Sequence, residues 1–343
     1  MLTIRASSSS GTGSKEDGEI NYLMFESSMP EAGWKVRVLS NLAPVRKQVL
    51  WASVLTGSIF ASLVLIALFL LERRKAEEIH QKLQEIQAQL LIDELEKELQ
   101  IAHDMQMGLM PTESPQIEGF DVAGRCLPAN HVGGDFFKYY LLSQNRLAGV
   151  LADVTGHGME AAVPLLVFNG TLESQIELGG TIEELFGRLN NSLHRILDRR
   201  TFICFTMAEL NPATRMFRMS NCGCPYPYHY KAATNEVAEL QMDAYPLGIR
   251  ADATYEAIEV QLEPGDRVVF CSDGIVEAAN PQREMFTFEQ TAEVIRQGCE
   301  QGLAAEALLE HLFGRVKAFT GTAEQGDDMT VVVVQVTEPE AVS

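Results

Sequence analysis

The residues best equipped for chemistry are four acidic stations, each set beside an apolar run. Asp153 follows the run Leu147–Ala152 within LAGVLADVTGHG, and Asp273 follows the run that opens RVVFCSDG at Arg267. Asp135 closes a Gly133-Gly134 hinge, and the pair Asp327-Asp328 opens the run Met329–Val336. A carboxylate at a strand end, next to a turn that glycine permits, stands where a ligand can approach the backbone. No CxxC and no paired His lies beside these stations. Donors made only of oxygen suit hard divalent cations better than zinc or copper. A single Asp-Gly step reads as an ordinary surface turn. The recurrence of the design is what carries weight.

Short strands must position these groups. Apolar runs bounded by turn residues predict strands over 120–127, 136–142, 147–154, 202–210, 216–221, 226–231, 237–240, 255–260, 267–272 and 329–336. Helical spacing predicts helices over 160–178, 181–198, 288–300 and 304–320; in the second, Ile182, Leu185, Leu189, Leu193 and Ile196 share one face. Strands grouped around segregated helix pairs give an α+β class, antiparallel sheets covered by helices, in a domain over 112–337 with a tail at 338–343. The sequence lacks a P-loop lysine pattern and a Cys followed by a phosphate-cradling Arg motif. Hard cations on such carboxylates could activate a water, and that chemistry needs no nucleophilic Ser or Cys, which fits the lack of those patterns.

The series GGDFF, ADVTGHG, PLGI (Pro246–Ile249), LEPGDRVVFCSDGIVEA and GDDMTVVVV resembles the SpoIIE/RsbU branch of the metal-dependent, type 2C-like serine/threonine protein phosphatases, from about Glu98 to Val336. The resemblance implies a four-layer α-β-β-α sandwich and two Mn2+ or Mg2+ ions. It assigns Asp153 to both ions, Asp273 and Asp327 to one of them, and Asp135 with the Val154 carbonyl to the other. Asp328 is expected to hold the loop or a water. His157 is a candidate general acid for the departing serine oxygen; the competing reading is that it buttresses the Gly turn, and its register differs from that of the wider family's proposed acid. His131 precedes the hinge and is a lesser candidate for contact with the site. Two departures stand out: Lys138 replaces the second Asp of GGDFFD, and Asn221-Cys222-Gly223-Cys224-Pro225 replaces NAGH-P with loss of the His. A cation at 138 would either weaken the outer metal or touch a phosphate. By resemblance the substrate is a phosphorylated STAS-type anti-anti-sigma protein. The alternative is a pseudophosphatase that holds such a partner without turnover. A nucleotide cyclase is rejected because Phe136 stands where the GGDEF signature needs an acid.

The chain has 343 residues, 46% of them hydrophobic, and a net charge of −20, which argues against nucleic-acid binding because phosphates would be repelled. Six scattered cysteines read as reduced thiols; Cys222-Gly223-Cys224 offers half of a soft-metal site with no visible second half. Residues 1–20 are Ser/Gly-rich and are expected to be disordered. Trp34–Leu39 reads as a strand, and GWKVRVLSNLAPV resembles the closing strand of an extracytoplasmic Cache-type sensor, so 1–48 is read as a sensor remnant in a shortened chain. Val49–Leu71 is free of charge for 23 residues, enough to cross the roughly 30 Å hydrocarbon core as a transmembrane helix. Flanking basic residues balance, so orientation rests on the thiol-bearing domain belonging in the cytoplasm, tethered to the inner membrane by one pass. From 72 to 111 the chain reads as a coiled-coil linker: Ile79, Leu83, Ile86 and Leu90 form one seam, and Leu91, Leu95, Leu99 and Ala102 continue it after a phase shift. That seam predicts a homodimer.

Overall fold

The computed structural model describes residues 2–4, 20–29, 31–142, 146–156 and 158–337, and divides into two compact units at Ile92/Asp93. In the first unit β1 (Leu2–Ile4), β2 (Ile20–Met29) and β3 (Trp34–Asn41) form an antiparallel meander in that order. The strand over 34–39 is borne out. The expectation of disorder over 1–20 is corrected at both ends, because Leu2–Ile4 pairs with Ile20–Tyr22. Paired backbone groups satisfy one another there even though the flanking sequence is polar.

Helix α1 runs unbroken over Ala43–Met107. Asn41 Oδ1 accepts from Ala43 N at 2.8 Å, a cap at its start, and Pro44 falls in the first turn where a missing N–H costs nothing. Its most apolar 18-residue window has a mean hydropathy of 2.6 and is wholly exposed, so the helix is long and apolar enough to cross a membrane. Ser53, Thr56 and Ser62 each donate to the carbonyl four residues back, at 2.9 Å, leaving no hydroxyl that needs water. The expected apolar span and linker are thus one helix, regular through the phase shift of the seam. It ends at Gly108, with Pro111 beyond.

In the second unit β4 (Phe120–Leu127), β5 (Asp135–Leu141) and β6 (Leu147–Val154) precede helices α2 (Met159–Leu178) and α3 (Ile182–Ile196). Strands β7 (Ile203–Asn211), β8 (Met216–Cys222), β9 (Tyr228–Lys231), β10 (Glu236–Glu239), β11 (Ile258–Gln261) and β12 (Arg267–Cys271) follow. A short α4 (Asp273–Val276), α5 (Phe288–Glu300), α6 (Ala305–Thr320) and β13 (Met329–Val336) complete it. Two five-stranded antiparallel sheets result, in the orders β10-β9-β12-β13-β4 and β11-β8-β7-β6-β5. Helices α2 and α3 cover the second sheet, and α5 and α6 cover the first, so the four-layer α-β-β-α sandwich is observed.

The layers follow from side-chain periodicity. Leu165, Phe168 and Leu172 of α2 and Ile182, Phe186, Leu189 and Leu193 of α3 are fully buried. Each stabilises the fold by roughly 1.5–3 kcal/mol relative to exposure. Thr181 and Glu184 form a capping box that fixes where α3 begins. Strands β12 and β13 are buried on both faces, which explains their unbroken apolar runs.

Candidate active site

Strand register builds the first half of the site. Strands β5 and β6 pair so that Asp135 lies directly opposite Asp153, and β7 places Cys204 on the other side of Asp153. Residues directly opposite share a face, so both carboxylates point the same way. The strand containing Asp153 runs on through Val154 rather than stopping short of it.

The second half comes from the facing sheet. Asp273 opens α4 immediately after β12, and Asp327 and Asp328 precede β13, the neighbour of β12. Ser272 N donates to Thr330 O at 2.9 Å, Thr330 N donates to Ser272 Oγ at 2.9 Å, and Ser272 Oγ donates to Asp328 O at 3.2 Å. These bonds tie the two carboxylate-bearing segments together. Thr330 Oγ1 then reaches across to donate to Asp135 Oδ2 at 2.5 Å, joining the sheets.

Asp328 braces the loop, as the resemblance implied. Its Oδ1 accepts from Ala129 N at 2.8 Å, and its Oδ2 accepts from Gly134 N at 2.7 Å and Asp135 N at 3.3 Å. The two glycines of the hinge are required by close approach. A Cβ at 133 would stand 1.7 Å from Asp328 Oδ2, and one at 134 would stand 2.6 Å from Val154 O and 3.2 Å from Asp153 Oδ1. The hinge thus packs against Asp328, Asp153 and the Val154 carbonyl together.

The carboxylates descend from solvent inward. Asp327 and Glu277 are exposed, Asp153 and Asp273 half-buried, and Asp135 only 2% exposed. Burial first, and then the charges of Asp273, Asp327, Asp328 and Glu277, push Asp153 up to about 7. Burial, followed by Asp327 and Glu277, raises Asp273 to about 6. Burial and the neighbouring Asp153 hold Asp135 well above the usual carboxylate range. The charges acting most strongly on all three are negative. Such a cluster calls for cations.

Among the described residues no three His, Cys, Asp or Glu side chains close a ready-made cage around one ion. Open, shared oxygen donors fit cations that keep several waters, as Mg2+ does, and fit tetrahedral zinc poorly. Cys204, Cys222 and Cys224 do gather beside the site, giving the Cys222-Gly223-Cys224 pair a third thiol. Burial pushes Cys204 up to about 12 and raises the other two, as expected of buried thiols.

A cleft of about 930 Å3 opens from Asp273 and Glu277 toward Cys224, Tyr226, Tyr245 and Arg250. Asn221 on its wall is 1% exposed; Nδ2 donates to Cys224 O at 2.9 Å, while Oδ1 has no partner among the described residues. Arg250 forks onto Asp252 at 2.9 and 3.1 Å and lies over the Tyr245 ring at 4.9 Å.

Asp135, Asp153, Val154, Asp273 and Asp327 are therefore gathered in one place. His157 lies outside the described residues. His131 contributes only its backbone, its carbonyl bonded to His103 Nδ1 at 2.5 Å, and its side chain is exposed. Lys138 points away from the carboxylate cluster: it alternates onto the opposite face of β5 from Asp135, pairs with Glu173 of α2 and lies 5.6 Å from the Tyr140 ring centre. Glu277, Ser272 and Thr330 were not singled out from sequence. The four-residue step from Asp273 to Glu277 was a legible signal, since one helical turn brings them together.

A sequence profile described as Stage II sporulation protein E (SpoIIE) matches residues 143–337, more than half of the chain. The chain belongs to the SpoIIE family. Asp153, Asp273 and Asp327 fall inside the matched segment of this family member, and Asp135 falls just before it. The chain is 27% identical over 223 residues to phosphoserine phosphatase RsbU of Bacillus subtilis, covering 65% of both chains. It is 21% identical over 185 residues to phosphoserine phosphatase RsbP of the same organism, covering 53% of this chain and 45% of that one. It thus spans less than two thirds of the length of either relative. The fold is shared with the PP2C domain of SiaA from Pseudomonas aeruginosa (TM-score 0.61, 20% identity, 71% of this chain and 97% of that one). It is also shared with the phosphatase domain and a regulatory fragment of SpoIIE from Bacillus subtilis (TM-score 0.54, 20% identity, 66% of this chain and 64% of that one).

Proposed function

We propose that this SpoIIE-family chain is a membrane-tethered, Mn2+- or Mg2+-dependent phosphatase of phosphoserine or phosphothreonine in proteins. The observation that carries the reading is the carboxylate cluster of Asp135, Asp153, Asp273 and Asp327, whose strongest charged neighbours among the described residues are negative and which meets a cleft of about 930 Å3 at Asp273. Asp153, Asp273 and Asp327, together with Asp135 and the Val154 carbonyl, are the groups that would hold the ions, with Asp153 between the two sets. Bound cations supply the positive charge that acidifies water and neutralises a phosphoryl group. The chain's own contribution is to fix those donors through Ser272, Thr330 and Asp328. The cleft beyond Glu277 receives the segment flanking the phosphoresidue. His157 is the proposed proton donor to the leaving oxygen.

The phosphoserine phosphatase names of the two relatives support this substrate class. The resemblance to the SpoIIE/RsbU branch extends the proposal to a partner-switching pathway, with a phosphorylated STAS-type anti-anti-sigma protein as substrate. Apolar residues 49–71 of α1 form the single membrane pass, with the catalytic unit in the cytoplasm, and the seam from Ile79 to Ala102, exposed as far as Leu95, joins two copies. Turnover of a phosphoserine protein by the full chain in detergent tests the central claim. We expect activity with Mn2+, none with chelator, and a drop of about a thousandfold or more in Asp153→Asn. Folded protein that binds Mn2+ yet turns over no phosphoprotein would overturn it in favour of a binding module.

A further inference from the structure

Helix α1 has 65 residues, and the one that is buried is polar: Gln106, 6% exposed, in its last turn. Its amide grips the backbone of Gly133 from both ends. Gln106 Nε2 donates to Gly133 O at 2.7 Å, and Gly133 N donates to Gln106 Oε1 at 3.0 Å. One turn earlier, His103 Nδ1 meets His131 O at 2.5 Å on the same loop. The next two peptides are held from the other side, since Gly134 N and Asp135 N both donate to Asp328. The hinge before Asp135 is therefore clamped between α1 and the loop that leads into β13.

We propose that Gln106 is a positioning residue for Asp135: it locks the Gly133-Gly134 hinge to the last turn of α1, so that turn sets where the Asp135 carboxylate stands. The inference rests on the reading of Asp135 as a metal ligand. The two hydrogen bonds hold the peptides on either side of the Gly133 Cα, which fixes both the position and the orientation of that residue. The hinge cannot be braced by side chains of its own, because a Cβ at either glycine has no room. A rotation or slide of the α1 end pulls first on Gly133, two residues from the ligand. Partners bonded directly to a metal ligand typically govern affinity by about 10- to 100-fold, and Gln106, bonded two residues from Asp135, is expected to act at the lower end.

The test is Mn2+ binding to the full chain in detergent, measured by calorimetry and by electron paramagnetic resonance, alongside amide exchange at Gly133 and Gly134. Gln106→Met keeps the length and loses both bonds; we expect the weaker Mn2+ site to lose affinity about tenfold and the two amides to exchange faster. Gln106→Glu keeps the acceptor for Gly133 N but turns an oxygen onto Gly133 O, so it too should weaken the site and quicken exchange, and it serves if the Met variant fails to fold. Val316→Ala, a buried α6 position outside the site, controls for lost stability and should bind Mn2+ as wild type does. Wild-type affinity and exchange in both Gln106 variants, while Asp135→Asn loses a site, sinks the inference alone. Wild-type binding in Asp135→Asn sinks the reading beneath it as well.

Discussion

The two ends of β12 treat a carboxylate in opposite ways. At one end Asp266 is buried and fully answered: it accepts from His229 Nε2 at 3.0 Å, Ala232 N at 3.0 Å and Glu263 N at 3.1 Å. Burial alone would raise it, yet the His229 bond and the two amides hold it below the usual carboxylate range. At the other end, about 17 Å along five strand residues, Asp273 joins Asp153 and Asp135, and all three are pushed upward by burial and by neighbouring carboxylates. The same sheet carries both. A carboxylate the fold answers is part of the structure, whereas a cluster the fold leaves repelling itself is held for a ligand that brings positive charge.

Four outcomes sharpen or break that contrast. Asp266→Asn should destabilise the protein by about 2–4 kcal/mol in denaturant melts, since it strands buried donors, while leaving Mn2+ affinity unchanged. The metal-free protein should gain stability on acidification. Asp153 and Asp273, at about 7 and 6 in the fold against about 3.9 unfolded, bind protons in the folded state first. Unfolding then costs more as pH falls from 8 toward 4, and that gain is lost as pH rises through 6–7. A Tm higher by about 5 °C at pH 5 than at pH 8 is the expected size, and saturating Mn2+ should abolish the trend because protons and cation compete for the same oxygens. A flat profile without metal would show the cluster to be relieved already. Asp153→Asn should stabilise the metal-free protein by about 1–2 kcal/mol, discounted because the group is half-exposed to water, even as it removes activity. Lys138→Ala should cost about 0.5 kcal/mol or less, as partly exposed ion pairs do, with no change in metal dependence.

Much of this was legible in sequence. Strands 120–127, 147–154 and 329–336 and helix 288–300 fall where apolar runs and helical spacing put them, because burial on one or both faces leaves a pattern that turn residues punctuate. Asp328 was read as a brace and is one. Lys138 was misread because sequence offset conveys proximity along the chain, whereas strand alternation decides the face. Strand β1 went unread because its partner lies beyond a polar stretch with no pattern of its own. Gln106 gave no signal at all: a glutamine near a helix end is usually solvated, and only a loop 27 residues later makes it a clamp.

The sequence by itself determined the types and order of the donors, the apolar span of α1 and the alternation that sorts each strand into faces. These are properties of residues and their near neighbours. The tertiary structure decided which carboxylates meet. Asp135 and Asp153 come together through strand register, and Asp273 joins them only when the second sheet packs on the first. Charge repulsion between them exists in no local segment, because it is created by the long-range pairing that burial of both sheets makes favourable.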